Sequence, residues 1–590
     1  MKNLRSIITV TAFFSLATVL DSCSKSFLEK PVLGSLSEDV LATEKGVTRL
    51  LVGTYAALDA TNVGGGDAWQ TSPTNWIYGS VAGGDAHKGS DATDQAPIDR
   101  IASGNSDPTI GFFNSKWIAN YEGISRANAV LRVMEKTEEL SAAQKTQFGA
   151  EARFLRAHFY FDLKKMFNKV PWIDETTTDL KTPNDQDIWP KIEEDFKYAY
   201  DNLGDKGVTI GRVNKWAAAA YLAKALVYQK KFAEAIPLFT TIIAQGQNTA
   251  GVKYGLTDRF EDNFDPATKN NEESVFSIQM VANAGTGDIS SGNNGEMLNH
   301  PYGDSPFGCC GFYQPTIDLV NSYRTDASGL PFLTGYNSTI VTNDMGIESA
   351  DPFTPYTGSL DPRLDWTAGR RGIPYKDWGI HPGKKWIRDQ NYSGPYAPKK
   401  NIYWQATKDK FSDRISWAPG SAINVNVIRF ADVLLLAAEA EAQAGSLPKA
   451  LEYVNMVRAR AANPASFVYK YVNDATPLAG FSNTPAANYV VAPYPTGSAV
   501  FAAKESALRA IYFERKLELA MEGHRFFDLS RWGIAEQELN AFFAFEGQFT
   551  IDIRSGKFTP NKNEYFPIPQ AQIDLSVTGG APTLTQNQGY

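Results

Sequence analysis

The 590 residues are 43% hydrophobic and 12% aromatic with 21% charged, the composition of a packed globular chain and not of a disordered one. A net charge of −8 and a pI near 5.4 exclude a nucleic-acid partner, which needs clustered Lys and Arg to displace counterions. Three cysteines are too few for a disulfide scaffold in a chain of this length.

Lys2 and Arg5 open the chain, an apolar run extends from Ile7 to Leu20, and Ser22 precedes Cys23. That order predicts a secretory signal over residues 1–22, with Leu20-Asp21-Ser22-Cys23 resembling a lipobox in which Asp21 is unusual. The run falls short of the roughly 20 apolar residues that span a bilayer, so the mature chain is expected to begin at an acylated Cys23. Lipid would then be its only membrane attachment. An extended tether leads into a helix with Leu50, Leu51, Tyr55 and Leu58 on one side. Residues 61–111, with Gly64, Gly65, Gly66, Trp69 and Trp76, predict a long structured loop region.

Apolar residues at three- and four-residue spacing predict helices over 112–168, where His158 among Leu155, Phe159 and Phe161 reads as a core histidine. Another helix starts near Pro190, a residue tolerated in a first turn. In residues 216–246, Leu222, Ala223, Leu226, Ala235 and Phe239 fall at the offsets of a tetratricopeptide unit. A second copy follows 215 residues later at Ala437, Ala438, Ala450, Val454 and Val457, with Gly445 between its helices. The expected fold is therefore mainly α: a tetratricopeptide-like helical scaffold over about 112–250 and 421–533, with long loop-rich insertions and a few short strands.

Between the two units, residues 250–420 lose helical periodicity and gain Gly, Pro, Asn and aromatics. ESVFSIQMV at 273–281 predicts a strand and QPTIDLVNSYRT at 314–325 a short helix. Ordered irregular chain of this length usually binds something, so function is expected at about 61–111 and 251–420. Trp366, Trp378, Trp386, Trp404 and Trp417 concentrate there, and loops that mix Trp and Tyr with Asp, Asn, Arg and Lys suit sugars, whose C–H faces stack on rings while their hydroxyls need polar neighbours. Trp69, Trp76, Tyr302, Trp378 and Trp386 are the candidate ligand contacts; the competing reading is that such rings fill satellite cores. Cys309 and Cys310 are either a vicinal disulfide or two buried thiols, and neither has a metal-ligand neighbour at suitable spacing.

Residues 505–533 place Arg515 and Glu522 within an apolar helix face, where ionised groups need partners, and Gly523 is the expected helix end. The run E-R-x-x-E-L-A-x-E-G-x-R-x-x-D-L-x-R-W from Glu514 to Trp532 closely resembles the C-terminal signature of the SusD/RagB family, surface lipoproteins of Bacteroidetes that capture glycans. GGDAHKG at 83–89, SLDPRLDWTAGR at 359–370 and the final LTQNQGY, with Gln588 in the family's proline place, resemble further family segments. The resemblance implies a single domain over 23–590, a helical scaffold, oligosaccharide as ligand, a SusC-like TonB-dependent transporter as partner, and a lipid-anchored site on the outer face of the outer membrane. No cofactor or metal is expected, and a structural Ca²⁺ does not follow from these residues. Capture of peptides is the alternative within the family. A glycosidase using Glu518 and Glu522 is the rival from another class, but acid and base carboxylates should face an open cleft and these read as a buried ion-pair network. A tetratricopeptide adaptor is a third reading. No H-E-x-x-H, G-x-S-x-G or P-loop pattern occurs, and His87, His158, His300, His381 and His524 are widely scattered.

Overall fold

A computed structural model describes residues 37–60, 66–284, 292–413, 418 and 420–590; the expected signal segment, Cys23 and Trp417 lie outside the described residues. The helical scaffold begins with α1 (Glu44–Ala56), started by Thr43, whose hydroxyl accepts the Gly46 N–H. Then come α2 (Gly111–Lys136) and α3 (Ala142–Phe167), the latter opened by a reciprocal capping box between Ser141 and Gln144. α4 (Trp189–Asn202) carries Pro190 in its first turn, and α5 (Lys215–Tyr228) is capped by Asn214. α5 buries twelve consecutive residues, Trp216 to Val227, because its alanines let helices approach on every side. α6 (Phe232–Gln245) completes this part, and each helix from α2 to α6 packs on the next.

Across the long insertion, α6 packs directly on α7 (Phe430–Ala444), which forms a hairpin with α8 (Leu447–Ala462) and also contacts α9 (Lys504–Glu518). The two tetratricopeptide-like units are thus stacked neighbours, although some 180 residues separate α6 from α7 in the sequence. Two small antiparallel ladders manage the insertion. β1 (Ala86–Gly89) pairs with β3 (Phe312–Pro315), joining the two loop regions, and β2 (Ser274–Ile278) pairs with β4 (Val425–Arg429), bringing the start and end of the insertion together. The chain's last residues fasten to the first helices: Asn587 Nδ2 donates to the carbonyls of Phe167 and Phe566, each at 2.8 Å, and Asn184 Oδ1 accepts the Thr585 N–H at 2.8 Å.

Two sequence expectations need correction. Residues 75–90 are buried throughout and run through the core instead of lining a loop face. Glycines permit this passage: a Cβ at Gly79 would lie 1.8 Å from the Gly523 carbonyl oxygen, and one at Gly523 1.9 Å from the Thr74 oxygen. The signature helix also ends at Glu518, not at Gly523. Its last carbonyls accept side chains instead of continuing the helix, with Tyr323 Oη donating to Leu517 at 2.8 Å and Arg429 Nη2 to Glu518 at 2.6 Å. Met521 and Gly523 then take positive φ of 62° and 76° before α10 (Arg525–Trp532) turns back.

The charges of this motif are buried and paired. Glu518 Oε1 meets Arg429 at 2.5 Å and also Arg460, while Oε2 meets Arg363 at 2.8 Å. Arg429 also binds Glu273 at 2.7 Å and Glu522 at 2.8 Å, Lys400 binds Glu522 at 2.7 Å, and Glu514 bridges Arg363 and Arg458 at 2.8 Å each. With Asp361 on Arg363 at 2.7 Å, five cations face five carboxylates. A second cluster joins Arg515 to Asp432 at 2.7 Å and Asp528 at 3.0 Å, with Lys224, Arg531 and Glu439 completing it. His158 is a core residue, its Nδ1 2.6 Å from Tyr221 Oη, and burial pushes its pKa down to about 3.

Burial alone would raise the Glu518 carboxyl, but Arg460, Arg429 and Arg363 outweigh it and hold it well below the carboxylate range. A depressed carboxyl stabilises fully above its ordinary value of 4.5 and loses that contribution as the pH falls below it. Glu518→Gln should therefore lower the unfolding free energy by about 3–5 kcal/mol at pH 7, the cost of leaving buried guanidinium groups short of a partner. Urea denaturation reads this, and the gap from wild type should narrow when repeated near pH 3. Equal stability at pH 7 would remove the network from the account of the fold.

Candidate functional site

The insertion builds a second, smaller core from Tyr375, Trp386, Ile387, Ala397 and Ile402, with Phe307 and Trp378 packed partly exposed against it. This platform presents a ridge of aromatic rings. The Phe307 and Trp378 centroids are 4.7 Å apart, Phe307 lies 5.8 Å from Tyr403, and Trp378 6.0 Å from Tyr403. The Trp378 indole N–H is satisfied by the Tyr403 carbonyl at 2.8 Å, which fixes the ring while leaving its outer part accessible. Lys408 Nζ lies over that ring at 5.8 Å.

Tyr302 stands beside the ridge on loop 300–311. Its N–H donates to the Trp386 carbonyl at 2.9 Å, and Gly311 N–H donates to the His300 carbonyl at 2.8 Å, so both ends of the loop are fastened. The Arg388 guanidinium sits 4.9 Å from the Tyr302 ring centre and is held by Ser90 Oγ at 2.6 Å, Asp94 at 2.9 Å and Asp91 at 2.5 Å. Asp304 and Lys385, both exposed and 3.1 Å apart, add polar groups to the rim. Burial pushes His300 down to about 4 and His381 to about 3, so both imidazoles are uncharged at neutral pH. Half-exposed rings with charged donors and acceptors at their edges can stack a sugar's C–H face and bind its hydroxyls.

Of the five sequence candidates, the structure brings three into this region. Trp378 and Tyr302 are half-exposed on it, and Trp386 is only 7% exposed, a support beneath the ridge instead of a contact. Trp76 is a correction: it is fully buried, its indole N–H donates to Gly295 O at 3.0 Å, and it packs on Phe312 and Tyr313, so no ligand reaches it. Trp69 stands apart in the one-turn helix Ala68–Thr71, half-buried with its indole N–H 3.2 Å from Gln95 Oε1. Phe307 was missed by the sequence reading; its signal was the run of glycines at 303, 308 and 311, all at positive φ, which set that loop outward. Cys309 and Cys310, left open between two readings, form a disulfide. Glu518 is fully buried, and Glu522, although it lines a cavity with Lys400 and Asn401, is tied up as Glu518 is in ion pairs with arginines and Lys400, so the two are not placed as an acid and a base across a cleft.

A family model described as "SusD family" matches residues 272–590, and one described as "Starch-binding associating with outer membrane" matches residues 37–227. SusD-like protein P25 of Formosa agariphila is 24% identical over 503 residues, covering 80% of this chain and 79% of its own length. A SusD superfamily crystal structure from Bacteroides vulgatus aligns with TM-score 0.65 at 22% identity, over 93% of this chain and all of that one. Surface glycan-binding protein A from Bacteroides thetaiotaomicron, solved with laminarihexaose, aligns with TM-score 0.62 at 21% identity, over 92% of this chain and 99% of that one.

The core and ridge assignments separate in a stability experiment. Trp76→Ala should cost about 3–5 kcal/mol, the range for a large aromatic removed from a close-packed interior. Trp378→Ala should cost under about 1.5 kcal/mol because its outer part already meets water. Chemical denaturation of the two variants side by side checks this, and equal losses would place Trp378 in the core.

Proposed function

This chain belongs to the SusD family, and on that footing we propose that it is a lipoprotein of the outer cell surface that captures oligosaccharide on the Tyr302–Phe307–Trp378 ridge and passes it to a SusC-like TonB-dependent transporter for uptake. The single observation that carries the binding reading is the half-exposed ridge, fixed from below by a buried platform and rimmed by Arg388, Lys385, Asp304 and Lys408. Support for the sugar class comes from proteins of the same fold, among them a laminarin-binding SusD-like protein. The transporter and the delivery step rest on family membership. The lipid anchor rests on Cys23 and the signal before it.

Native affinity electrophoresis against a panel of polysaccharides, laminarin included, is expected to retard the protein. Tyr302→Ala, Phe307→Ala and Trp378→Ala should each weaken binding about tenfold, or about 1.4 kcal/mol, with little change in melting temperature. A peptide library screened in parallel decides the alternative: retention by peptides alone overturns the glycan reading.

Cys23→Ala addresses location separately. More than one acyl chain gives stable anchoring at about 0.8 kcal/mol per buried CH₂. The variant should stay folded and bind ligand yet leave the outer-membrane fraction. Protease added to intact cells should digest the wild type; protection until lysis would put it on the inner leaflet and end the surface-capture mechanism.

A further inference from the structure

The adjacent cysteines Cys309 and Cys310 are joined as a disulfide, and the stacking ridge as described so far makes no use of it. Its surroundings are unusual for a structural cross-link. A bond between neighbours closes no loop of chain, so it removes little entropy from the unfolded state and adds little to stability. Cys309 is also half-exposed, although Cys310 is buried. Phe307, a ridge ring, lies two residues before Cys309. Gly311 lies one residue after Cys310, and a Cβ there would fall 3.0 Å from Tyr302 Cβ and 3.5 Å from Arg388 Cβ. Between Phe307 and the disulfide, Gly308 has φ of 75° and open space where its side chain would be. The cysteines thus lie within the short loop that carries the ridge ring Phe307 and, at Gly311, comes up against Tyr302 and Arg388, with open space at Gly308 beside Cys309.

Oxidation also changes the chemistry of that spot. Two thiols would present S–H donors on side chains free to rotate, whereas the joined sulfurs are a donor-free, polarisable, apolar surface locked to the backbone. Such a surface suits the C–H face of a pyranose as an aromatic ring does, and Arg388, Asp304 and Lys385 stand near to engage hydroxyls. We propose that the Cys309–Cys310 disulfide is itself a ligand-contacting surface, on which a sugar ring of the bound oligosaccharide rests next to those stacked on Phe307 and Trp378. This rests on the glycan reading of the ridge and extends it to a contact that has no aromatic group. It also makes the oxidised state the binding-competent one, in keeping with an exported chain.

The test compares dissociation constants by calorimetry for the glycan that retards the wild type best, with laminarihexaose as the first probe. Three samples are needed: untreated protein, protein treated with a trialkylphosphine, and Cys309→Ser/Cys310→Ser. The phosphine breaks the S–S bond; each sulfur gains a proton, and the phosphorus, oxidised by two electrons, takes the oxygen of water as phosphine oxide. Reduced protein and the double variant should bind about five- to tenfold more weakly than untreated protein, with melting temperatures within a few degrees of it, and the double variant should not respond to the phosphine. Weakening by Trp378→Ala with none on reduction overturns this inference alone. A fall in affinity that tracks a fall in melting temperature as large as that of Trp76→Ala overturns it too, by showing a structural role. A wild type that binds no glycan in the panel overturns both readings. Alkylation of Cys309 by iodoacetamide in untreated protein would remove the disulfide on which the proposal stands.

Discussion

Glu518 is the point on which the structure turns. It is fully buried, and its two oxygens gather Arg363 from the insertion, Arg429 from the end of β4 and Arg460 from α8 onto the end of α9. Isolated charges at such depth would cost several kcal/mol each, so the arrangement is tolerable only because it is balanced and because most remaining lone pairs and protons find partners nearby, Arg460 Nε excepted. An apolar core could supply comparable stability. What the network supplies in addition is position, since a guanidinium accepts few geometries around a carboxylate and every segment that contributes one is held in a single register. The insertion is thereby fixed to the scaffold at Arg363 and at Lys400, which binds Glu522 only two residues before Ile402 of the ridge's platform.

This explains how long stretches without regular secondary structure can present a fixed surface. Helices α5 to α9 form the rigid body, two short ladders close the insertion on itself and onto the earlier loop region, and the ion network fixes the interior. The ridge then needs only local support: a small apolar platform, a carbonyl for the Trp378 indole N–H, and glycines where the chain must turn outward. Recognition residues on loops carried by a stiff scaffold are the usual division of labour in binding proteins.

The scaffold was legible in the sequence because helical burial leaves a period. The alanines and leucines of α5–α6 and α7–α8 mark facing surfaces whatever lies between them, and Arg515 within an apolar face announced buried partners, Asp528 among them. The charge network was visible in kind but not in its membership, since Glu273, Asp361 and Arg460 come from segments whose proximity no local pattern encodes. The ligand face was legible only as a region. Trp76 and Trp378 are both flanked by polar or turn residues, yet one lies under Phe312 and Tyr313 and the other keeps its outer part in water, a difference made by β1–β3 pairing and by the contact of Gly79 with Gly523. The end of α9 was misplaced for the same reason, as Tyr323 and Arg429 reach its carbonyls from far along the chain.

The fastening of Asn587 onto the carbonyl that ends α3 has a consequence for how the molecule is made. Residues 420 positions apart complete one another's hydrogen bonds there, and the ion network likewise awaits segments from Glu273 to Glu522. Contacts so remote in sequence close late, after much chain entropy has been spent. A partly synthesised chain therefore has helices but no finished interior in which to settle. Such a chain stays open and threadable until the segment around Asn587 emerges, because only then can the interior close.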